Sequence, residues 1–202
     1  MNDGPPAVVL ASASRIRAEL LRKAGVECTV APAHIDEEEV KRSLRGEGAD
    51  GAAIADTLAE LKARHLAPRY PGALIVGADQ VLDCQGTLFD KPPDLDHARA
   101  HLVALRGRTH DLVSAVSVLR DGVRLWHHIA RARLTMREFS DDFLDAFLTE
   151  AGESALASVG GYQLEGPGVQ LFERIEGDYF TILGLPLLPL LDFFRNHGVV
   201  GR

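Results

Sequence analysis

The chain has 202 residues, with 22 Lys and Arg against 29 Asp and Glu for a formal net charge of −7; 46% of residues are hydrophobic and 25% charged. That length suits one α/β domain or two small lobes sharing a cleft, and the composition is that of a globular chain with a core, which excludes wholesale disorder. The acidic balance argues against binding a nucleic-acid backbone through surface charge, although a few cations converging in one cleft suffice for a small anion.

In chain order, Val8-Val9-Leu10-Ala11 reads as a short buried strand. Ser12-Ala13-Ser14 forms a turn into a helix with Ile16, Leu20, Leu21 and Ala24 on one face and Gly25 as its stop. Asp36-Glu37-Glu38-Glu39 is an acidic run before a helix. Asp50 to Leu66 reads as another, with Ile54, Leu58 and Leu61 on one stripe and Pro68 and Pro71-Gly72 beyond it. Ala73 to Ala78 is an apolar strand that runs directly into Asp79, so this carboxylate is expected at a strand exit. Gln85-Gly86 reads as a tight turn, and Asp94 caps a helix closed by Gly107. Thr109 to Arg120 and Val123 to Met136 are β-rich and joined by Asp121-Gly122, a strong hairpin signal. Ser140 caps a helix, 158–168 is a glycine-rich loop, Val169 to Ile175 alternates like a strand, and Pro186 opens a last helix ending near Gly198. The pattern predicts an α/β fold with a mixed sheet and flanking helices.

Several segments carry chemistry. Ser12 and Ser14 at a helix N-terminus make a natural anion site, and Arg17 adds a planar cationic fork, although an ordinary helix cap is the commoner reason for such residues. Asp79 at a strand exit suits a catalytic or metal-binding acid as well as a turn Asp. Lys91, stiffened by Pro92 and Pro93, and Lys62, in a helix, each read alone as solvated lysines. The run around Glu37 offers either dipole matching or oxygen ligands for Mg²⁺. His127 and His128 are adjacent in a strand and face opposite ways, which is poor geometry for one metal. Cys28 and Cys84 show neither redox nor zinc spacing. No basic, apolar leader and no membrane-length apolar run is present, so a cytoplasmic address without membrane association is expected. The motifs of Walker-type NTPases, Rossmann dinucleotide sites and α/β-hydrolases are missing.

Taken in order, these segments resemble the Maf family of nucleotide pyrophosphatases. The carriers are Leu10-Ala11-Ser12-Ala13-Ser14 with Arg17, Glu19, Leu20 and Leu21; Ile35-Asp36-Glu37; Leu61-Lys62-Ala63; Gly77-Ala78-Asp79; Lys91-Pro92; Gly107-Arg108-Thr109-His110; and Phe172 to Tyr179 leading to Gly184-Leu185-Pro186-Leu187. They span nearly the whole chain, consistent with one domain over 1–202. The resemblance implies a mixed, twisted sheet in two lobes around a central cleft, as in Maf and inosine-triphosphatase-like proteins, often dimeric. It implies Mg²⁺-dependent hydrolysis of a nucleoside triphosphate to the monophosphate and pyrophosphate. Asp79 takes the position of the catalytic acid, as base or as metal ligand. Ser12, Arg17, Lys62 and Lys91 take those of the phosphate contacts, and Glu37 that of the acidic metal-site residue.

Three positions bear on the base. Gln80 and Glu165 resemble the 7-methyl-GTP-preferring branch, whereas Ile16 stands where that branch carries a tryptophan. A buried carboxylate at Glu165 would accept hydrogen bonds from both N1–H and the exocyclic amine of guanine and would disfavour a uracil or thymine edge. The alternative class, a non-catalytic nucleotide-binding regulator of cell division, sits poorly with intact Asp79, Lys62 and Lys91.

Overall fold

The computed structural model of the protein describes residues 4–201. Among these residues seven strands form one mixed sheet in the order β2-β1-β3-β5-β6-β7, with β4 paired to β3. The strands are β1 (Val8–Ala11), β2 (Thr29–Val30), β3 (Leu74–Cys84), β4 (Thr87–Phe89), β5 (Thr109–Arg120), β6 (Val123–Met136) and β7 (Phe172–Glu176). β1 pairs in parallel with β2 and β3, and the remaining pairs are antiparallel. The helices are α1 (Arg15–Lys23), α2 (Glu37–Gly46), α3 (Gly51–Leu66), α4 (Leu95–Leu105), α5 (Asp141–Ala151), α6 (Tyr179–Ile182) and α7 (Leu187–Asn196). No helix among the described residues is long and apolar enough to cross a membrane.

The caps and turns follow from local chemistry. Ser14, Asp36, Asp50, Asp94 and Ser140 each accept a backbone N–H three residues on, which satisfies an orphan donor at the start of a helix. Both two-residue hairpin turns adopt positive φ at each position, Gln85 and Gly86 in one and Asp121 and Gly122 in the other, as the sequence signals require.

β3 organises the molecule. Its first half, Leu74–Gly77, pairs with β1, and its far end, Leu82–Cys84, pairs with β4. The residues between, from Ala78 to Val81, keep β5 on one side but pair with neither β1 nor β4 on the other. The cleft opens at that gap. Apolar residues of α1, α7, β1 and the first half of β3 pack together on one side of it, and those of α4, α5 and the end of β3 pack on the other.

Two expectations are corrected. Asp79 does not lie at a strand exit: β3 continues to Cys84, because Val81, Leu82 and Cys84 are again buried. The strand expected from Val169 begins only at Phe172, since Pro167–Leu171 is taken up by a 3-10 turn.

Candidate active site

Alternation along β3 sends Gly77, Asp79 and Val81 to one face and Ala78 and Gln80 to the other. The first face carries α3. A Cβ at Gly77 would run into the Ala59 carbonyl oxygen of that helix. The glycine therefore lets α3 lie close on the strand, and Lys62, one turn beyond Ala59, reaches Asp79. Lys62 Nζ donates to Asp79 Oδ1 at 2.7 Å and lies 3.0 Å from Glu37 Oε1. Asp79 is 5% exposed and Lys62 8%. Asp79 Oδ2 is buried and has no hydrogen-bond partner. Burial raises the Asp79 carboxyl above the ordinary aspartate range, against the opposing pull of Lys62 and Arg17.

Arg17 sits at the open edge of β3. Its Nε donates to Gly184 O at 2.7 Å, and its Nη1 donates to Ala78 O at 2.8 Å and Ser12 Oγ at 3.2 Å. Burial pulls the guanidinium below its ordinary value, while Asp79 and Glu37 pull it back. Ser12 Oγ accepts from Arg17 and from the Ser14 N–H, so its own proton remains available to a ligand oxygen. Lys91 is exposed at the rim. The cleft walls still pull its ammonium below the ordinary value, first by desolvation and then by Arg17, with Glu37 opposing. Glu37 and Asp79 act on it from nearby, but each is paired with Lys62 rather than with Lys91.

These residues line one cleft of about 410 Å³, within the ~300–1,000 Å³ range of small-molecule sites. Its charged lining is four basic residues, Arg17, Lys41, Lys62 and Lys91, against five acidic ones, Glu37, Glu38, Asp79, Asp90 and Glu165.

The Maf-like protein family matches residues 7–197. The chain belongs to the Maf family. It is 56% identical over 190 residues to a nucleoside triphosphate pyrophosphatase of Paramagnetospirillum magneticum, covering 94% of this chain and 98% of that protein. It is 54% identical to one of Granulibacter bethesdensis, with 94% and 96% covered. It is also 49% identical, over 96% of this chain and 98% of the relative, to a 7-methyl-GTP pyrophosphatase of Rhizobium johnstonii.

In this Maf chain every residue singled out from sequence lines the same cleft: Ser12, Ile16, Arg17, Glu37, Lys62, Asp79, Gln80, Lys91 and Glu165. Two of them differ in state from expectation. Glu165 is exposed at the rim rather than buried, so it keeps its hydration until a ligand covers it. The Gln80 amide nitrogen is committed to the protein, donating to Ser114 Oγ, Thr181 O and Ile182 O at 3.0–3.1 Å, which leaves only Oε1 to meet a base. Sequence reasoning missed Ser114, although a polar residue inside the apolar run Leu112 to Val116 is a readable signal. It also missed Lys41 and Asp90, paired at 2.5 Å in the cleft wall. The spacing of Lys41 four residues after Glu37 is the one hint the sequence holds.

No group of three or more His, Cys, Asp or Glu converges as a metal cage among the described residues. Glu37 and Asp79 nevertheless meet at one ammonium, and Asp79 Oδ2 has a vacant lone pair. The acidic excess of the lining gives a bare polyphosphate no net attraction. Mg²⁺ is held by one or two carboxylates together with substrate phosphates, and this donor set fits that habit.

Proposed function

We propose that the protein is a nucleoside triphosphate pyrophosphatase that splits the α–β phosphoanhydride, with Asp79 as its catalytic carboxylate. The observation that carries the reading is Asp79 itself: one oxygen is held by Lys62, the other is buried and unpartnered, and both sit in a cleft with an under-compensated lysine at its rim.

In this mechanism Ser12, Arg17, Lys62 and Lys91 bind the triphosphate, with the N–H groups at the start of α1 adding donors. Lys62 holds Asp79 by Oδ1 and leaves Oδ2 without a protein partner, free to accept a proton once water reaches it. The water oxygen bonds to the α-phosphorus as its proton passes to Oδ2, and the bond from that phosphorus to the bridging oxygen breaks. Pyrophosphate departs with the electron pair, its charge stabilised by Lys62 and Lys91. Glu37, with Asp79, would hold Mg²⁺, which supplies charge neutralisation at the phosphates. Asp79 serves as base or as metal ligand.

For the base, the reading favours guanine, including 7-methylguanine. Glu165 is a carboxylate at the cleft rim that accepts from N1–H and the exocyclic amine, and it complements the positive charge of a methylated ring. Ile16 offers an apolar surface without an aromatic stacking plane. The test is pyrophosphate release from GTP, 7-methyl-GTP, UTP and dTTP in parallel, with Mg²⁺ and with chelator. Faster release from the two guanine nucleotides, abolished by chelator, is expected. A pyrimidine bias would remove the role given to Glu165, and release that survives chelation would remove the metal.

A further inference from the structure

Helix α2 has no fully buried residue, and one of its stripes is ionic throughout. Glu37, Lys41 and Arg45 recur at four-residue spacing and share a face. Each is tied to another wall of the cleft. Glu37 lies 3.0 Å from Lys62 on α3. Lys41 Nζ lies 2.5 Å from Asp90 Oδ1 and 3.4 Å from Glu38 Oε1, and Arg45 Nη2 lies 3.6 Å from Asp90 Oδ2. Asp90 follows β4 and immediately precedes Lys91. The Lys41 side chain is 14% exposed, so the pair is partly withdrawn from solvent screening. Losing either partner would leave a half-buried charge with only a longer contact, Lys41 to Glu38 or Asp90 to Arg45.

The reaction proposed above recruits Glu37 and Lys62 for the metal and the phosphates. Their mutual ion pair cannot then also hold α2. The Lys41–Asp90 pair is not recruited and ties α2 to a different wall, the segment that follows β4. We propose that Lys41 and Asp90 are positioning residues that fasten α2 to the Lys91 segment and so set Glu37 and Lys91 across the cleft for the triphosphate, an inference that rests on the pyrophosphatase reading.

The sign of one substitution separates this from simple charge effects. Asp90→Asn removes a negative charge from a cleft that takes a polyanion, so electrostatics alone would lower KM. Loss of a positioning pair raises it. The experiment measures kcat and KM for GTP with Mg²⁺, and amide hydrogen exchange over residues 37–46 in the free protein, for the wild type, Asp90→Asn and the charge-swapped Lys41→Asp/Asp90→Lys. The expected result is a KM raised roughly tenfold in Asp90→Asn with kcat little changed, faster exchange in α2, and recovery of both in the swap. A KM that falls or stays level in Asp90→Asn, or exchange in α2 that does not change, overturns the proposal. A wild type that releases no pyrophosphate overturns the pyrophosphatase reading instead, and with it the triphosphate role of the pair. The exchange measurement still decides whether the pair holds α2.

Discussion

Arg17 and Lys91 are both cations of the cleft, yet the structure gives them different work. Arg17 is spent largely on the protein, closing the Ala78 and Gly184 carbonyls and Ser12 from one buried guanidinium. A lysine cannot reproduce that fork. Arg17→Lys is therefore expected to lower stability by about 1–3 kcal/mol, because buried acceptors lose their donor, as well as lowering turnover. Lys91 is exposed and under-compensated, so Lys91→Met should raise KM for the nucleotide and leave the urea midpoint within experimental scatter. Equal effects of the two substitutions on the urea midpoint would contradict this division. The convergence of Ser12, Arg17, Lys62 and Asp79 was legible in the sequence only as an ordered set, since a helix-cap serine or a helix lysine is ordinary by itself. The commitments of Gln80 were not legible, because its acceptors Thr181 and Ile182 lie about a hundred residues away and are backbone atoms.

At the scale of elements, the contact between α3 and β3 builds the site. Gly77 has ordinary strand conformation, so it is required for closeness rather than for a special φ. Gly77→Ala would push a methyl into the Ala59 carbonyl. The expected outcome is destabilisation of at least ~1–3 kcal/mol together with loss of activity, since α3 must move away and takes Lys62 with it. Full activity in a folded Gly77→Ala protein would show that the Lys62–Asp79 contact is dispensable. The hairpins and every helix but the short α6 were readable from caps and turn residues. The course of β3 was not, because Asp79 and Gln80 interrupt its apolar run and read as an ending. The interruption has a physical cause: β1 stops at Ala11, opposite Gly77, and polar residues face the cleft that this leaves.

Across the whole molecule, the segment between α5 and β7 is pinned beside the cleft by a buried polar pair. His110 of β5 lies 2.7 Å from the Tyr162 hydroxyl, and Tyr162 lines the cleft. Both rings pack on Phe172. Burial lowers the His110 pKa from 6.5 to about 4, with Asp111 opposing. The folded value lies below the unfolded one, so the unfolded chain takes up the proton first. The contribution of His110 to stability is thus complete above about pH 6.5 and is lost as pH falls toward 4, by a total on the order of 3 kcal/mol. His110→Gln should flatten this part of the stability profile relative to the wild type, measured as urea midpoints between those limits. Parallel profiles would show that His110 is not held neutral.

The central claim is that a water activated at Asp79 attacks the α-phosphorus. The most direct measurement is product identity and rate from GTP with Mg²⁺, for the wild type and Asp79→Asn. One nucleoside monophosphate and one pyrophosphate per triphosphate, slowed by at least ~100-fold in Asp79→Asn, is the predicted result. Release of diphosphate and orthophosphate, or an Asp79→Asn protein as fast as the wild type, would contradict it.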